Sequence, residues 1–348
     1  MSDNWNLAST LASGDYVIFI GDDDAMMPFA LQHLNALLIK TKVKAIRWEA
    51  AIYGWPDIAR AEFANYLQVP LGRQYQYLDG RQTIGGVLKA RASGPLLPNI
   101  YHGLVAREIL EGLRNKTGRV FGSHHCDTYS SFAVAYELDN YLSLATPMTI
   151  MGFSGASNNI AFNSLRRKTA IGQNYRVEHA GSPMNKLIPD LPTHYVVLPE
   201  SFLAAKADLF PEDNSLVLDR RILIGQLLKR MPIDTLDEWP AAVTEIRRAV
   251  SDDAELLAWF ETRLKATRPQ TSKRDSLRPR FQGFSNGRLH LDVKKRGITN
   301  VAQAAQFAAQ ILQAGGSDLV LDKDTFVSRV SRKLKVAKFV LSKAGTAL

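Results

Sequence analysis

The stretch SGDYVIFIGDDDAMMP, Ser13 to Pro28, constrains the chain more than any other. Asp15–Ile20 is short, apolar and β-branched, with Ser13-Gly14 before it and Gly21 after it, which reads as a buried strand of an α/β sheet. Three consecutive carboxylates follow: Asp22, Asp23 and Asp24. Like charges that close raise one another's pKa and cost stability unless something cationic joins them. Pro28 suits the first turn of a helix, and Phe29, Leu31, Leu34, Leu37 and Leu38 recur at helical spacing. Val43–Ala50 reads as the next strand, so the chain opens in the strand–helix–strand grammar of a parallel or mixed sheet.

If the acidic residues continue the strand, Asp22 and Asp24 share one face and Asp23 points the other way. They then sit at the carboxyl end of a strand, where open α/β sheets bind ligands. Hard oxygen donors at that spacing suit Mg²⁺ or Mn²⁺, with water and diphosphate oxygens completing the shell. The competing reading is a charged turn whose aspartates cap the following helix. One or two aspartates fit a cap; three overfill it. An EF-hand is excluded, because the loop lacks that motif's glycine and closing glutamate.

With 348 residues, 46% hydrophobic and 22% charged, the chain has the composition of a globular protein. Its one cysteine, Cys126, excludes an internal disulfide and suits a reducing cytosol. The N-terminus has no basic leader before its apolar run, and no apolar stretch reaches the ~20 residues of a membrane span. A soluble, cytoplasmic protein is expected. The net charge of +9 is unevenly placed, with basic residues gathered at Leu165–Lys168, Ser272–Arg280 and Ser328–Lys343. Such asymmetry suits phosphate-bearing ligands or anionic lipid heads, or is simply a solvated basic surface. No zinc-finger spacing, RNP-like strand or helix-turn-helix supports nucleic-acid binding.

Further along, Gly80–Ala90 predicts a short helix broken at Gly85 and Gly86, and His102–Lys116 predicts an amphipathic helix. Thr117–Asp127 reads as a loop, Thr128–Tyr141 as a helix, and Tyr141–Gly152 as one more strand. Beyond Leu165 strand signals become rare, so 166–266 reads as a helical region, 267–287 as a linker and 288–348 as a C-terminal helical region with a basic tail.

GDYVIFIGDDDAMMP resembles the strand and Asp-x-Asp segment of family 2 glycosyltransferases with the GT-A fold. SDNWNLASTLASGDYV is similar to the Asn-containing helix before that strand. LPNIYHGLVAREILEGL, followed by GSHHCDTYSSFAVAYEL, resembles the acceptor-side helix and the acidic residue opening the next one. The resemblance covers roughly Ser2 to Ser164, implying residues 1–165 as a partial GT-A (Rossmann-like) mixed sheet. It implies Asp22 and Asp24 as metal and diphosphate carboxylates, Asp22 and Asp23 as donor contacts, and Asp127 as catalytic base. Early strands that hold the nucleotide in the family are missing before Met1, so the chain looks N-terminally truncated. The Gln-x-x-Arg-Trp signature of processive members is also missing, since QLLKRMP (Gln226–Pro232) has neither the tryptophan nor the spacing.

The implied activity is metal-dependent inverting transfer of one sugar from a nucleotide-diphosphate sugar to a glycan or lipid-linked acceptor, in bacterial cell-surface polysaccharide assembly. A carboxylate takes the acceptor's proton, and a metal ion neutralises the leaving diphosphate. Asp127 also reads as the N-cap of its helix. His124, His125 and Cys126 lack the spacing of a zinc site and read as loop residues near the acceptor cleft. Trp48, Tyr53 and Trp55 read as sugar-stacking rings or as core, with core favoured for Trp48. In the tail, Val327, Val330, Leu334 and Leu341 form a stripe, with Arg329, Arg332, Lys333, Lys335 and Lys338 largely elsewhere. That pattern fits a helix packed on its own domain, or peripheral contact with the inner face of an anionic membrane. Two other classes stay open: a catalytically impaired remnant acting as an interaction protein, and a nucleotidyltransferase.

Overall fold

The computed structural model describes residues 2–58, 61–155, 184–191, 193–230, 233, 235–269, 281–316, 318–320 and 323–343. The basic clusters Leu165–Lys168 and Ser272–Arg280 lie outside these residues, as does the middle of the linker. The α/β architecture expected from the sequence is the one observed, with two mixed sheets and a mainly helical second half.

The first sheet has the order β1 (Tyr16–Val17), β7 (Gly103–Ala106), β3 (Ala45–Trp48), β8 (Asn140–Leu144), β6 (Tyr75–Asp79). The second runs β10 (Gly283–Ser285), β11 (Arg288–Asp292), β5 (Tyr66–Pro70), β4 (Ala51–Gly54), β9 (Thr149–Phe153), β2 (Ala25–Met26). Among the described strands, β3 with β8 and β4 with β9 pair in parallel, and the others antiparallel. Because β3 leads into β4 and β8 into β9, one parallel pair of segments belongs to both sheets. Trp48 opposes Leu144 and Ala51 opposes Ile150, so three steps on one segment match six on the other. The longer connection contains Pro147, which cannot donate to a ladder. Tyr141–Gly152, predicted as one strand, is therefore two.

Asp15–Ile20 departs from its prediction as a buried strand. Only Tyr16 and Val17 pair with β7, at the edge of the first sheet, and Ile20 is 40% exposed. The antiparallel ladder ends there because the neighbouring chain reverses at His102, whose φ is 55°, and Phe19 instead forms a parallel bridge with Tyr101. The same left-handed residue corrects the helix predicted from His102. Gly103–Ala106 is the buried strand β7, and the helix α4 is only Arg107–Thr117. Gly80–Leu88 forms α3 without a break at Gly85 or Gly86. Asp79 caps it by accepting from Gln82 N at 2.7 Å, and buried Ile84, Val87 and Leu88 hold it down.

Three cores result. Leu34 of α2 (Ala30–Thr41) joins Ile46, Leu67, Val69, Ile150 and residues of α10 (Val301–Ala314) and α11 (Phe326–Ser342). On the other side of the first sheet, α3, α4, α5 (Cys126–Glu137) and α6 (Val197–Leu209) bury Ile84, Leu110, Phe132 and Phe202. Leu227, Ile246 and Phe260 centre a third core in α7 (Arg220–Lys229), α8 (Trp239–Val250) and α9 (Ala254–Ala266). Arg288–Asp292, predicted within a helical region, is a strand because its alternating Leu289 and Leu291 complete the sheet beside β5.

Candidate functional site

The three aspartates do not continue a strand. Gly21–Asp24 is a turn, closed by a bond from Asp24 N to Gly21 O at 3.3 Å. A turn breaks the two-residue alternation, so the predicted pairing of Asp22 with Asp24 on one face does not hold. Asp22 is exposed, Asp23 is half-buried, and the Asp24 side chain is fully enclosed.

Asp24 is tied on both oxygens. Its Oδ2 accepts from Gly21 N at 2.7 Å and from the Tyr101 hydroxyl at 2.6 Å, and its Oδ1 accepts from Gly152 N at 2.8 Å. His102 Nε2 stands 3.1 Å from Oδ2, an ion-pair distance, although the ring is not aligned for a good hydrogen bond. Burial raises the Asp24 pKa, but the histidine and the other donors outweigh it and hold the carboxyl below its ordinary range. Protein donors therefore surround the innermost carboxylate on both of its oxygens.

Close approaches made by glycines build the arrangement. A β-carbon on Gly21 would stand 3.0 Å from both Asp23 Oδ1 and Asp24 Oδ2. One on Gly152 would overlap Asp23 O at 1.8 Å, so only glycine lets β9 come near enough to donate to Asp24. Asp23 is held by Ser154, whose hydroxyl donates to Oδ2 at 3.0 Å, and its backbone carbonyl accepts from Trp55 Nε1 at 3.2 Å. Trp48 belongs to the core, 3% exposed, and donates to Thr149 Oγ1, which also meets His102 Nδ1 at 2.8 Å.

Tyr101 and His102 come from a tight loop. Asn99 Oδ1 accepts from Tyr101 N at 2.9 Å, and a β-carbon on Gly103 would overlap Asn99 O at 1.7 Å. The left-handed backbone at His102 costs about 1 kcal/mol or more, a strain tolerated where the side chain has a task. Behind it, Trp5 of α1 (Ser2–Leu11) stacks on Phe19, with ring centroids 5.2 Å apart, and lies 5.4 Å from Tyr101. Asn6 accepts from Val120 N and Phe121 N and donates to Phe121 O, fixing the loop that leads to α5.

Asp127 reaches the same place from that helix. It lies in the first turn of α5 and is not its N-cap, which is His125. It is partly exposed, yet so densely surrounded that desolvation pushes its carboxyl above the ordinary range. The Tyr101 hydroxyl, whose pKa is raised chiefly by burial, feels the charges of Asp24, Asp23 and Asp127 together. His102 acts on both Asp24 and Asp127. Asp23, Asp24, Asp127, Tyr101 and His102 thus share one neighbourhood. Cys126 beside them is buried, and its thiol is pushed up to about 12 by desolvation.

For a divalent cation the fit is mixed. Enclosed Asp24, with three groups on one oxygen, does not fit as a ligand without leaving its partners. Asp22 and Asp23 remain, a pair that fits a Mg²⁺-type ion only if it also takes diphosphate oxygens and water. Among the described residues no group of three or more His, Cys, Asp and Glu side chains is placed to hold a metal by itself. Tyr101, His102, Gly152 and Ser154 escape a reading of the sequence for acidic pairs, although Pro98-Asn99 and His102-Gly103 are the turn signals that place the first two.

No protein-family model matches the chain, and no curated protein matches it. Two solved structures, S. aureus TarS 1–349 in complex with UDP-GlcNAc and S. aureus TarS 1–349, resemble it with TM-scores of 0.38 and 0.34. They are 12% and 11% identical and cover 75% and 76% of this chain, which spans 64% and 67% of theirs.

Proposed function

We propose that the chain is a glycosyltransferase of the GT-A, family 2 type. In this reading it moves one sugar, with inversion, from a nucleotide-diphosphate donor to a glycan or lipid-linked acceptor. The observation that carries the reading is a pair of carboxylates beside the same Tyr101 and His102 with opposed environments. His102, Tyr101 and the Gly152 amide hold the Asp24 carboxyl below its ordinary range, while desolvation raises that of Asp127. Groups pushed apart in this way divide structural from acid–base work.

Asp127 then takes the acceptor hydroxyl's proton as that oxygen bonds to the anomeric carbon and the bond to the diphosphate breaks. A raised pKa brings the base nearer neutrality, where general-base catalysis is effective. Asp24 positions Tyr101 and His102 beside Asp127. Asp22 and Asp23 face the donor diphosphate and would hold a Mg²⁺ or Mn²⁺ ion that, when bound, neutralises charge on the leaving group.

Calorimetric titration with UDP, GDP and TDP plus Mn²⁺ tests the donor site, and transfer from the matching nucleotide-sugar tests the chemistry. One nucleotide is expected to bind both the wild type and Asp127→Asn, while only the wild type transfers. Binding of none, or undiminished transfer by Asp127→Asn, overturns the reading. Absence of binding would favour an interaction protein, a reading supported by β1 standing at the sheet edge with Ile20 exposed.

A further inference from the structure

The C-terminal helix α11 has two apolar stripes, and only one is used by the fold. Its inward side carries Val336, buried, with Phe339 and Val340 packed against the first core. Arg332 is buried beside them, paired with Asp324 at 2.5 Å and donating to Leu71 O at 2.7 Å. At the helix end, Arg296 donates to Lys343 O and Val340 O. These contacts fix which way the helix faces. The stripe expected to pack on the domain, Val327, Val330, Leu334 and Leu341, faces outward instead.

On that outer side Phe326, Val330, Leu334 and Leu341 follow one another at spacings of four, four and seven residues, so they form one line. Val327 stands beside it. Phe326 is 74% exposed, Val327 75%, Leu334 62% and Leu341 73%. At 3.6 residues per turn the line runs for about 22 Å. Arg329 and Lys333 border it on one side, and Lys335 and Lys338 on the other, all four exposed. No acidic residue occurs from Thr325 to Leu348.

We propose that this outer stripe is a docking surface for an anionic lipid bilayer, with the helix lying in the plane of the headgroups. An apolar ridge flanked on both sides by long cationic side chains matches that setting. The apolar residues enter the acyl boundary, while the lysine and arginine heads stay among anionic phosphates. Charge complementarity selects the bilayer over a second copy, because two such helices face to face would oppose cation to cation. The ridge is convex and already clamped from behind, so it need not rearrange to meet a flat surface. The inference stands on this helix alone, and its failure would leave the sugar-transfer reading untouched.

Flotation of the full 348-residue chain with phosphatidylcholine vesicles, with and without about 30 mol% phosphatidylglycerol, is the test. The wild type is expected to float with the anionic vesicles only. Leu334→Gln/Leu341→Gln should bind them roughly tenfold more weakly or less, as should Val327→Ser/Val330→Ser at the other end. Lys335→Gln/Lys338→Gln should weaken binding roughly 25-fold, about fivefold for each of the two charges removed. Thermal melts on the same samples show which variants keep the fold, and the two apolar pairs serve as independent checks. Three results would overturn the proposal: no flotation of the wild type, equal binding to neutral vesicles, or binding unchanged in folded apolar variants. A dimer, seen by sedimentation without vesicles and lost in Leu334→Gln/Leu341→Gln, would likewise overturn it by assigning the stripe to a second copy.

Discussion

The turn ending at Asp24 and the first turn of α5 bring carboxylates to the same tyrosine and histidine by opposite physical means. Asp24 is enclosed, with two backbone amides and a tyrosine hydroxyl donating to it and a histidine at ion-pair distance. Asp127 is partly open, and the amides of its helix start, the Thr128 hydroxyl and His102 do not outweigh its desolvation. Burial disfavours charge in both places, and only in the first do donors outweigh it. Enclosure alone therefore does not mark a reactive carboxylate; what marks it is burial left uncompensated. The more buried aspartate is the structural one.

The largest expected effect breaks this contrast on the chemical side. Asp127→Asn should lower transfer by about 10²–10⁴-fold, the usual share of a general base. Its melting at neutral pH should be unchanged or improved, because a group whose folded pKa is raised lowers stability once pH exceeds its ordinary value of 3.8. Asp24→Asn should show the reverse, a loss of about 3 kcal/mol in urea denaturation at neutral pH from stranding the partners of a buried charge. A depressed folded pKa gives stability that is present above 3.8 and disappears as pH falls through the lowered value. The gap between wild type and Asp24→Asn should accordingly close on acidification. A gap that stays constant with pH would mean that Asp24 is not ionised in the fold.

Much of this was legible in the sequence, and the exceptions have physical causes. The strand Ala45–Trp48 and helix Ala30–Thr41 appear where predicted, because Leu34, Leu37, Ile46 and Trp48 share one core, although Leu31 is exposed. The acidic segment was legible as charge but not as geometry. Periodicity carried the strand through Gly21, although glycine followed by aspartates is also turn chemistry. β7 was hidden because Gly103–Ala106 is apolar throughout and runs straight into the helical spacing of α4. Tyr101 and His102 could not be read as partners of Asp24, since 77 residues separate Tyr101 from it and only the loop at Asn99 brings them together. The inward role of Arg332 was equally invisible, because its partners Asp324 and Leu71 are fixed by tertiary packing.

Smaller changes sharpen the contrast. Gly21→Ala places a methyl 3.0 Å from two carboxylate oxygens and 3.2 Å from the Tyr101 hydroxyl, and should cost about 1–3 kcal/mol by forcing them apart. Differential scanning calorimetry would show it, and a neutral result would mean that the turn yields freely. Tyr101→Phe removes one of the donors to Asp24 and should cost about 1 kcal/mol in the same measurement.

The least effect on stability is expected at Asp22, and that is why it is informative. Its side chain is exposed in the turn, so Asp22→Asn should change stability by less than about 0.5 kcal/mol. Charge repulsion from Asp23 and Asp24 even leaves room for a slight gain. If Asp22 works with Asp23 on the donor diphosphate, the same substitution should weaken Mn²⁺-dependent nucleotide binding by about tenfold while the melt stays where it is. Asp24→Asn would lower both together, since its effect passes through the fold. Titrations on the two variants, each read against its own melting curve, would therefore separate a carboxylate that meets the ligand from one that only shapes the turn. Unaltered nucleotide binding by Asp22→Asn would remove it from the donor site and leave Asp23 as the single carboxylate of the turn able to reach the ligand.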